Sequence, residues 1–377
     1  MIEVLSIISH CMARAAGQET DMANKQKYVA YVGSYSYTGN AKGITIYDVD
    51  VENGKFKKRS EIEVDNSSDI ITSFDKKTLY TIADEGVVAY RILPNGDLEK
   101  LNSAKIRGIR ARHLSIDKKN RFLFVSGYHD GKLTVMRLHK DGSVGEIADN
   151  IWHKGLGSIA ARGSRPHITC SKPTPSGKFV ISADPGIDQV SVYKFNQRTG
   201  ELNLVDAVRV KLESSPCFLT FSKDGKFLYI LSEQANSIDV YNYSYHEGDD
   251  HPEFTQIQSV CSTGKNKPGQ LTAVACVRFT KNDDYVFCGN TGENTVTMFK
   301  RDAETGLLEP EFNLPISGAY PKDICLFPDE KHLVCANHES GTLTFFRIDY
   351  EKKLLIMCAN ELPVSEPNSC VIVPVEE

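Results

Sequence analysis

Apolar and polar residues alternate in short bursts along this chain, and the bursts come in pairs. Gly225-Lys226-Phe227-Leu228-Tyr229-Ile230 is followed across a polar turn by Ser237-Ile238-Asp239-Val240-Tyr241. Arg121-Phe122-Leu123-Phe124-Val125 is followed in the same way by Gly131-Lys132-Leu133-Thr134-Val135-Met136. Side chains of an extended chain point to opposite faces with period two, so each burst reads as a half-buried strand and each pair as a hairpin. Such hairpins begin at Tyr28, Thr78, Phe122, Phe179, Phe227, Tyr285 and His332, spaced by roughly 44–58 residues, close to the length of one four-stranded blade. A short leading strand precedes the pair, as in His113-Leu114-Ser115-Ile116-Asp117 or Phe218-Leu219-Thr220-Phe221-Ser222. A fourth strand starts at a Gly-bearing turn, as in Thr199-Gly200-Glu201-Leu202 or Thr305-Gly306-Leu307-Leu308. The pattern predicts an all-β, seven-bladed β-propeller.

The two ends of the chain are complementary. The first copy, from Tyr28 to about Val64, lacks a leading strand, whereas Asn368-Ser369-Cys370-Val371-Ile372-Val373-Pro374 is a leading strand with nothing after it. The ring is predicted to close when this C-terminal strand joins the N-terminal blade, which removes two exposed sheet edges. Residues 27–377 are therefore expected to form one propeller. Residues 1–26 read as a leader that is disordered or a start-site extension, because the apolar stretch Ile2–Ile8 lacks a basic start and a processing site.

Composition narrows the function. The net charge is −5 and no Lys/Arg block occurs, which argues against nucleic acid as a partner. No apolar run approaches the ~18 residues of a membrane span. The ten cysteines include no CxxC pair, and most fall on or beside predicted strands, where a thiol acts as a small apolar filler. A reducing, cytoplasmic compartment and a monomer or homodimer without metal or cofactor are the expectation. The run Tyr245-His246-Glu247-Gly248-Asp249-Asp250-His251 lacks a rigid ligand spacing and reads as a solvated insertion between the third and fourth strands of its blade. Gly264-Lys265-Asn266-Lys267-Pro268-Gly269 reads as a loop with no helix behind it to bind phosphate.

In a propeller the innermost strands line an axial channel, and the loops entering them form a funnel where polar groups converge. The starts of those strands supply Arg112-His113, Arg165-Pro166-His167-Ile168-Thr169, Ser215-Pro216-Cys217 and Lys322-Asp323. The ends of the following strands supply Asp84-Glu85, Tyr128-His129, Asp184, Ser232-Glu233, Asn290-Thr291 and Asn337-His338. A structural alternative for Arg112 is an ion pair with Asp84 or Glu85 of the adjacent blade.

Several of these segments carry a family likeness. Tyr31-Val32-Gly33-Ser34-Tyr35, Arg112-His113-Leu114-Ser115-Ile116-Asp117, Arg165-Pro166-His167 with Thr174-Pro175-Ser176-Gly177-Lys178, and Ala183-Asp184-Pro185-Gly186-Ile187-Asp188-Gln189-Val190 occur in order. From about Lys27 to Val375 the chain resembles the propeller lactonases, the family of bacterial 6-phosphogluconolactonase and fungal 3-carboxymuconate lactonising enzyme. The resemblance implies a hydrolase that opens a sugar-acid lactone or related cyclic ester. It also shows departures. A family His-x-His pair is His167 with Thr169; a Pro-Arg-His segment is Pro216-Cys217-Phe218; an Asn-Glu is Ser232-Glu233; an Asn-Arg is Asn290-Thr291; a Pro-Arg-Asp is Pro321-Lys322-Asp323.

Lactone opening needs a base for the attacking water and a donor or cation for the developing oxyanion. Glu233 is the expected base, with His113 and His167 as proton carriers, since imidazole titrates near neutrality. Arg112 and Arg165 would hold a substrate carboxylate or phosphate, and Thr169, Asp184, Tyr128 and Lys322 would complete the binding wall. The departures leave two alternatives, a non-catalytic ligand-binding propeller and a cycloisomerase or lyase on the same scaffold. The expected partner is a small anionic molecule.

Overall fold

A computed structural model describes residues 26–157, 165–263 and 272–376 of the chain. The leader and the Gly264–Gly269 loop lie outside the described residues. Seven four-stranded antiparallel sheets follow one another around a ring. Six of the seven anticipated hairpins start on the expected residue, from Thr78 to His332, and the first starts at Lys27, one residue before Tyr28. The ring closes as expected: Pro367–Val375 is the innermost strand of the first blade and pairs with Lys27–Ser34, Val32 facing Cys370 and Ala30 facing Ile372.

The hairpin spacing has a local cause. At the end of five innermost strands a short hydroxyl or carboxylate accepts the backbone N–H five residues on. The pairs are Ser73 with Thr78 (3.0 Å), Asp117 with Phe122 (2.7 Å), Thr174 with Phe179 (3.3 Å), Ser222 with Phe227 (3.1 Å) and Thr280 with Tyr285 (3.0 Å). Side-chain acceptors of this kind organise tight turns, and the same turn recurs because the same residue types recur.

Blades are held together by apolar side chains and by an inner belt of polar bonds. One buried cluster fills each gap between neighbouring blades. In the closing gap Phe56 packs on Phe327 at 5.3 Å and on Phe345 at 5.2 Å, joining the last blade to the first. The outer Gly turns lie flat against the neighbouring blade. A Cβ on Gly306 would meet the Phe227 ring, and its φ of +74° already favours glycine.

The belt runs around the axis from one innermost strand to the next. Ile70 N–H donates to Ser369 Oγ (3.2 Å), Leu114 N–H to Asp69 Oδ2 (2.7 Å) and Ser115 Oγ to the Ser171 carbonyl (2.6 Å). Cys170 Sγ reaches the Leu219 carbonyl and Cys217 Sγ the Val274 carbonyl, each at 3.8 Å. Arg278 pairs with Asp323, and Asp323 Oδ2 takes the Cys370 N–H (2.9 Å) back on the first blade. Cysteines on the innermost strands thus serve as weak donors as well as fillers.

Two outcomes test this architecture. Truncation after Glu366 removes the closing strand and is expected to abolish the cooperative thermal transition; a truncated chain melting like the full one would contradict ring closure. Gly306→Ala is expected to lower stability by about 1–3 kcal/mol in denaturant unfolding, through strain and overpacking against Phe227.

Candidate active site

The innermost strands of all seven blades contribute to one narrow cavity of ≈80 Å³, which places it on the ring axis. Its walls carry Asp69, Arg112, His113, Thr169, Cys217, Arg278, Lys322 and Asp323. Three of the strands arrive with a bulge at their second or third residue. The pairing skips Cys217 between Pro216 and Phe218, Ala275 between Val274 and Cys276, and Lys322 between Pro321 and Asp323. A bulged residue leaves the strict alternation and is re-aimed. All three of these residues line the cavity.

The cavity is crowded with charge. Arg112, Lys172, Arg278 and Lys322 oppose Glu233, Asp69 and Asp323. Burial raises the Asp69 carboxyl to about 6, against the Leu114 N–H that favours its anion. Asp323 is also raised by burial, with the Arg278 guanidinium pulling the other way. Burial, reinforced by the charge of Arg112, pushes the Lys322 ammonium down from 10.5 to about 7, and nearby Glu233 partly offsets this. His113 is held neutral by burial and by the Lys172 and Arg112 charges. Its Nε2 lies 3.6 Å from Cys170 Sγ, and its ring meets Phe218 edge-on at 5.6 Å. Four basic side chains face three carboxylates here, so the cavity favours anions although the chain as a whole is acidic.

Of the residues expected to act, Arg112, His113, Thr169 and Lys322 meet in the cavity. Glu233 is not among its lining residues and is connected to it through its charge, which acts on Lys322 and Cys217. The alternative pairing of Arg112 does not occur: Asp84 takes Arg110 at 3.3 Å and Glu85 takes Lys105 at 2.7 Å. Tyr128, His167 and Arg165 form a separate group toward the rim of the third and fourth blades. His167 stacks on Tyr128 at 4.3 Å and bonds the Tyr128 carbonyl through Nδ1 at 2.6 Å, and Arg165 is exposed beside them.

Asp184 departs from the expectation that it contacts ligand. It is fully buried, and its oxygens accept from the His167 N–H (2.7 Å) and the Gly186 N–H (3.0 Å) and contact His153 Nδ1 (2.8 Å). A carboxylate so enclosed anchors the strand start that carries His167.

Asp69, Arg278 and Tyr35 line the cavity without having been singled out for chemistry. His338, expected at the end of a strand that feeds the funnel, has its imidazole pKa depressed by burial and then by the nearby Lys322 charge. Arg278 follows Cys276 by two positions on an innermost strand, so alternation could have found it. Asp69 sits in a polar run that reads only as loop. A larger cleft of ≈1130 Å³ opens elsewhere, beside the turns at Ser73–Thr78 and His139–Gly142. Its acids Asp75 and Asp141 are tied to Ser73 and Ser143 in their own turns, which leaves it poorer in convergent groups than the axis. Among the described residues there is no cluster of three or more His, Cys, Asp or Glu side chains able to hold a metal ion. No helix among them is long and apolar enough to cross a membrane.

This axial site on a closed seven-bladed ring has known counterparts. The family described as "Lactonase, 7-bladed beta-propeller" matches residues 29–373, and the chain belongs to that family. A 6-phosphogluconolactonase of Bacillus subtilis is 28% identical over 90% of this chain and 97% of its own length. A 6-phosphogluconolactonase of Formosa agariphila is 24% identical over 90% of this chain and 98% of its own. Among solved structures, a Bacteroides fragilis protein superposes with a TM-score of 0.83 at 26% identity, covering 93% of this chain and 99% of that one. The periplasmic gluconolactonase PpgL of Pseudomonas aeruginosa superposes at 0.85 with 22% identity, covering 92% and 99%, a likeness of fold.

The depressed Lys322 predicts a pH signature. Between about pH 7 and 10.5 the unfolded chain protonates this lysine while the folded one does not, so its contribution to stability falls as pH drops through that window and levels off below it. Lys322→Met is expected to raise Tm at pH 7, with the gain shrinking toward pH 10; an equal shift at both would contradict the buried environment.

Proposed function

We propose that the protein hydrolyses a lactone carrying an anionic group, bound at the mouth of the axial cavity. The observation that carries this reading is the meeting of Arg112 and Lys322 in the cavity wall, with the Glu233 carboxylate close enough for its charge to act on Lys322. Family membership and the two relatives named as 6-phosphogluconolactonases support a sugar-acid lactone as the substrate class.

Glu233 removes a proton from water as the water oxygen attacks the lactone carbonyl carbon. Negative charge moves onto the carbonyl oxygen, where Lys322 in its protonated form and Arg112 stabilise it in a site with little water. Collapse of this intermediate breaks the ring C–O bond. The departing alkoxide takes up a proton from Glu233, with His113 as the neutral imidazole in the same cavity able to relay it. The product is the open hydroxy acid.

The substrate's own anion is assigned to Arg112 from one side and Arg165 from the rim. Thr169 supplies a hydroxyl to the cavity, and the separate stacked pair of His167 and Tyr128 is assigned to the substrate at the rim. Lys322 stands where the family motif has arginine, and it gives a point charge in place of a bidentate fork. That exchange suits one developing oxyanion better than a bound carboxylate. Nine described cysteines, all unpaired, fit a reducing compartment, and we assign the protein to the cytoplasm.

Glu233→Gln, assayed on a panel of aldonolactones, is expected to lower kcat at least 100-fold with KM changed only a few-fold. Unchanged turnover would remove Glu233 from the mechanism. Wild-type turnover no faster than buffer hydrolysis on every lactone would favour the binding-only propeller.

A further inference from the structure

One side of the cavity mouth is a wall of aromatic rings that a single small lactone does not account for. Tyr35, which lines the cavity, lies 5.7 Å from Tyr37 and 5.7 Å from His338, and His338 lies 6.1 Å from Tyr320. Cations mark both ends: the Arg110 guanidinium sits 4.8 Å from the centre of the Tyr35 ring, and Lys322 Nζ 5.3 Å from that of Tyr320. The outermost ring, Tyr37, is 64% exposed. Large exposed aromatics beside a polar funnel mark contact surfaces.

The wall is built rather than incidental. Buried Asn66 accepts the backbone N–H of Ser36 (2.8 Å) and of Tyr37 (3.1 Å) through Oδ1 and donates to Asp84 Oδ1 (2.8 Å). The same Asp84 oxygen holds Arg110 at 3.3 Å, so one network fixes the Tyr35–Tyr37 loop and the cation stacked on it. At the other end Tyr320 is held at φ +63°, a conformation rare for a bulky residue, by its N–H bond to Asn294 Oδ1 (2.8 Å) and by the His338 N–H bond to its carbonyl (2.9 Å). Strained backbone kept in place by its surroundings clusters where a side chain must be aimed.

The geometry of the rings selects the occupant. Their planes meet at 54°, 83° and 58°, so no two of these neighbours are parallel and there is no slot for a flat arene to enter between two faces. A ring packing on this wall is touched on one side and needs hydroxyls for the phenols and cations around it. A pyranose has that combination, with apolar C–H faces and an equatorial rim of hydroxyls. The wall also continues outward past the cavity, from Tyr35 at its edge to exposed Tyr37.

From this juxtaposition we propose that the wall of Tyr35, Tyr37, Tyr320 and His338 is a second-sugar subsite, and that the substrate class is an aldonic acid lactone bearing a further pyranose in addition to its anionic group. The proposal deepens the lactonase reading and takes its orientation from it, with the acid end at Arg112 and Lys322 and the second ring against Tyr35 and Tyr37.

Binding of the open acids tests it without requiring turnover. Titration calorimetry on the intact protein compares gluconate, one sugar unit, with cellobionate, the same acid carrying a second pyranose. Cellobionate is expected to bind at least fivefold more tightly. Tyr37→Ala, at an exposed position that tolerates truncation, is expected to bring the ratio below twofold, and Tyr37→Phe to preserve it because the ring face remains. Equal affinities in the wild type, a ratio that survives Tyr37→Ala, loss of the ratio in Tyr37→Phe, or no binding of either acid at millimolar concentration would each overturn the subsite. Should the ratio behave as stated while no lactone is turned over, the subsite stands and the hydrolase reading fails.

Discussion

The ring depends on satisfying the inner edges of seven short strands. Each blade presents to the axis an edge whose backbone groups have no further strand to pair with, and such edges are a liability unless covered. Here they are covered by one another. Ser369, Asp69, Ser115, Cys170, Cys217, Arg278 and Asp323 each reach from one blade to its neighbour, and the circuit ends where it began, on the strand Pro367–Val375. That strand comes from the far end of the chain, so the belt forms only when the ring closes.

The same belt creates the chemistry at the axis. Asp69 and Asp323 are held by backbone N–H groups and Arg278 in a narrow space, which places carboxylates and cations together in low dielectric. There burial, modified by the neighbouring charges, shifts each group: Asp69 upward, Lys322 and His113 downward. A site that binds an anion and moves a proton needs groups poised near neutrality, and crowding at the axis supplies them. Closure and site are one construction.

Much of the fold was legible because it rests on local rules repeated seven times. Alternation marked the strands, and polar or Gly-bearing turns marked the joints between them. The unmatched ends foretold the closing strand. The site was legible in part. Arg112, His113, Thr169 and Lys322 were expected to converge because they sit at strand starts on one side of a propeller, and they do line one cavity. The strand-end residue Glu233 does not line it. Asp184 was misread because its role depends on His153, which sits 31 positions away and was invisible as its partner. Arg112 escaped the pairing considered for it because Arg110, two residues earlier, reaches Asp84 instead. Tyr320 and His338 gained meaning only beside Tyr35, from the other end of the chain.

The amino-acid order by itself determined the blade count, the strand boundaries and the means of closure, because these follow from side-chain period, turn chemistry and complementary ends, all of short range or countable. Only the tertiary structure decided which side chains face the axis, since three bulges at Cys217, Ala275 and Lys322 break the alternation that sequence reading relies on. It also decided the protonation of those groups, because a pKa depends on burial and on charges brought in from other blades, distances that no local pattern encodes.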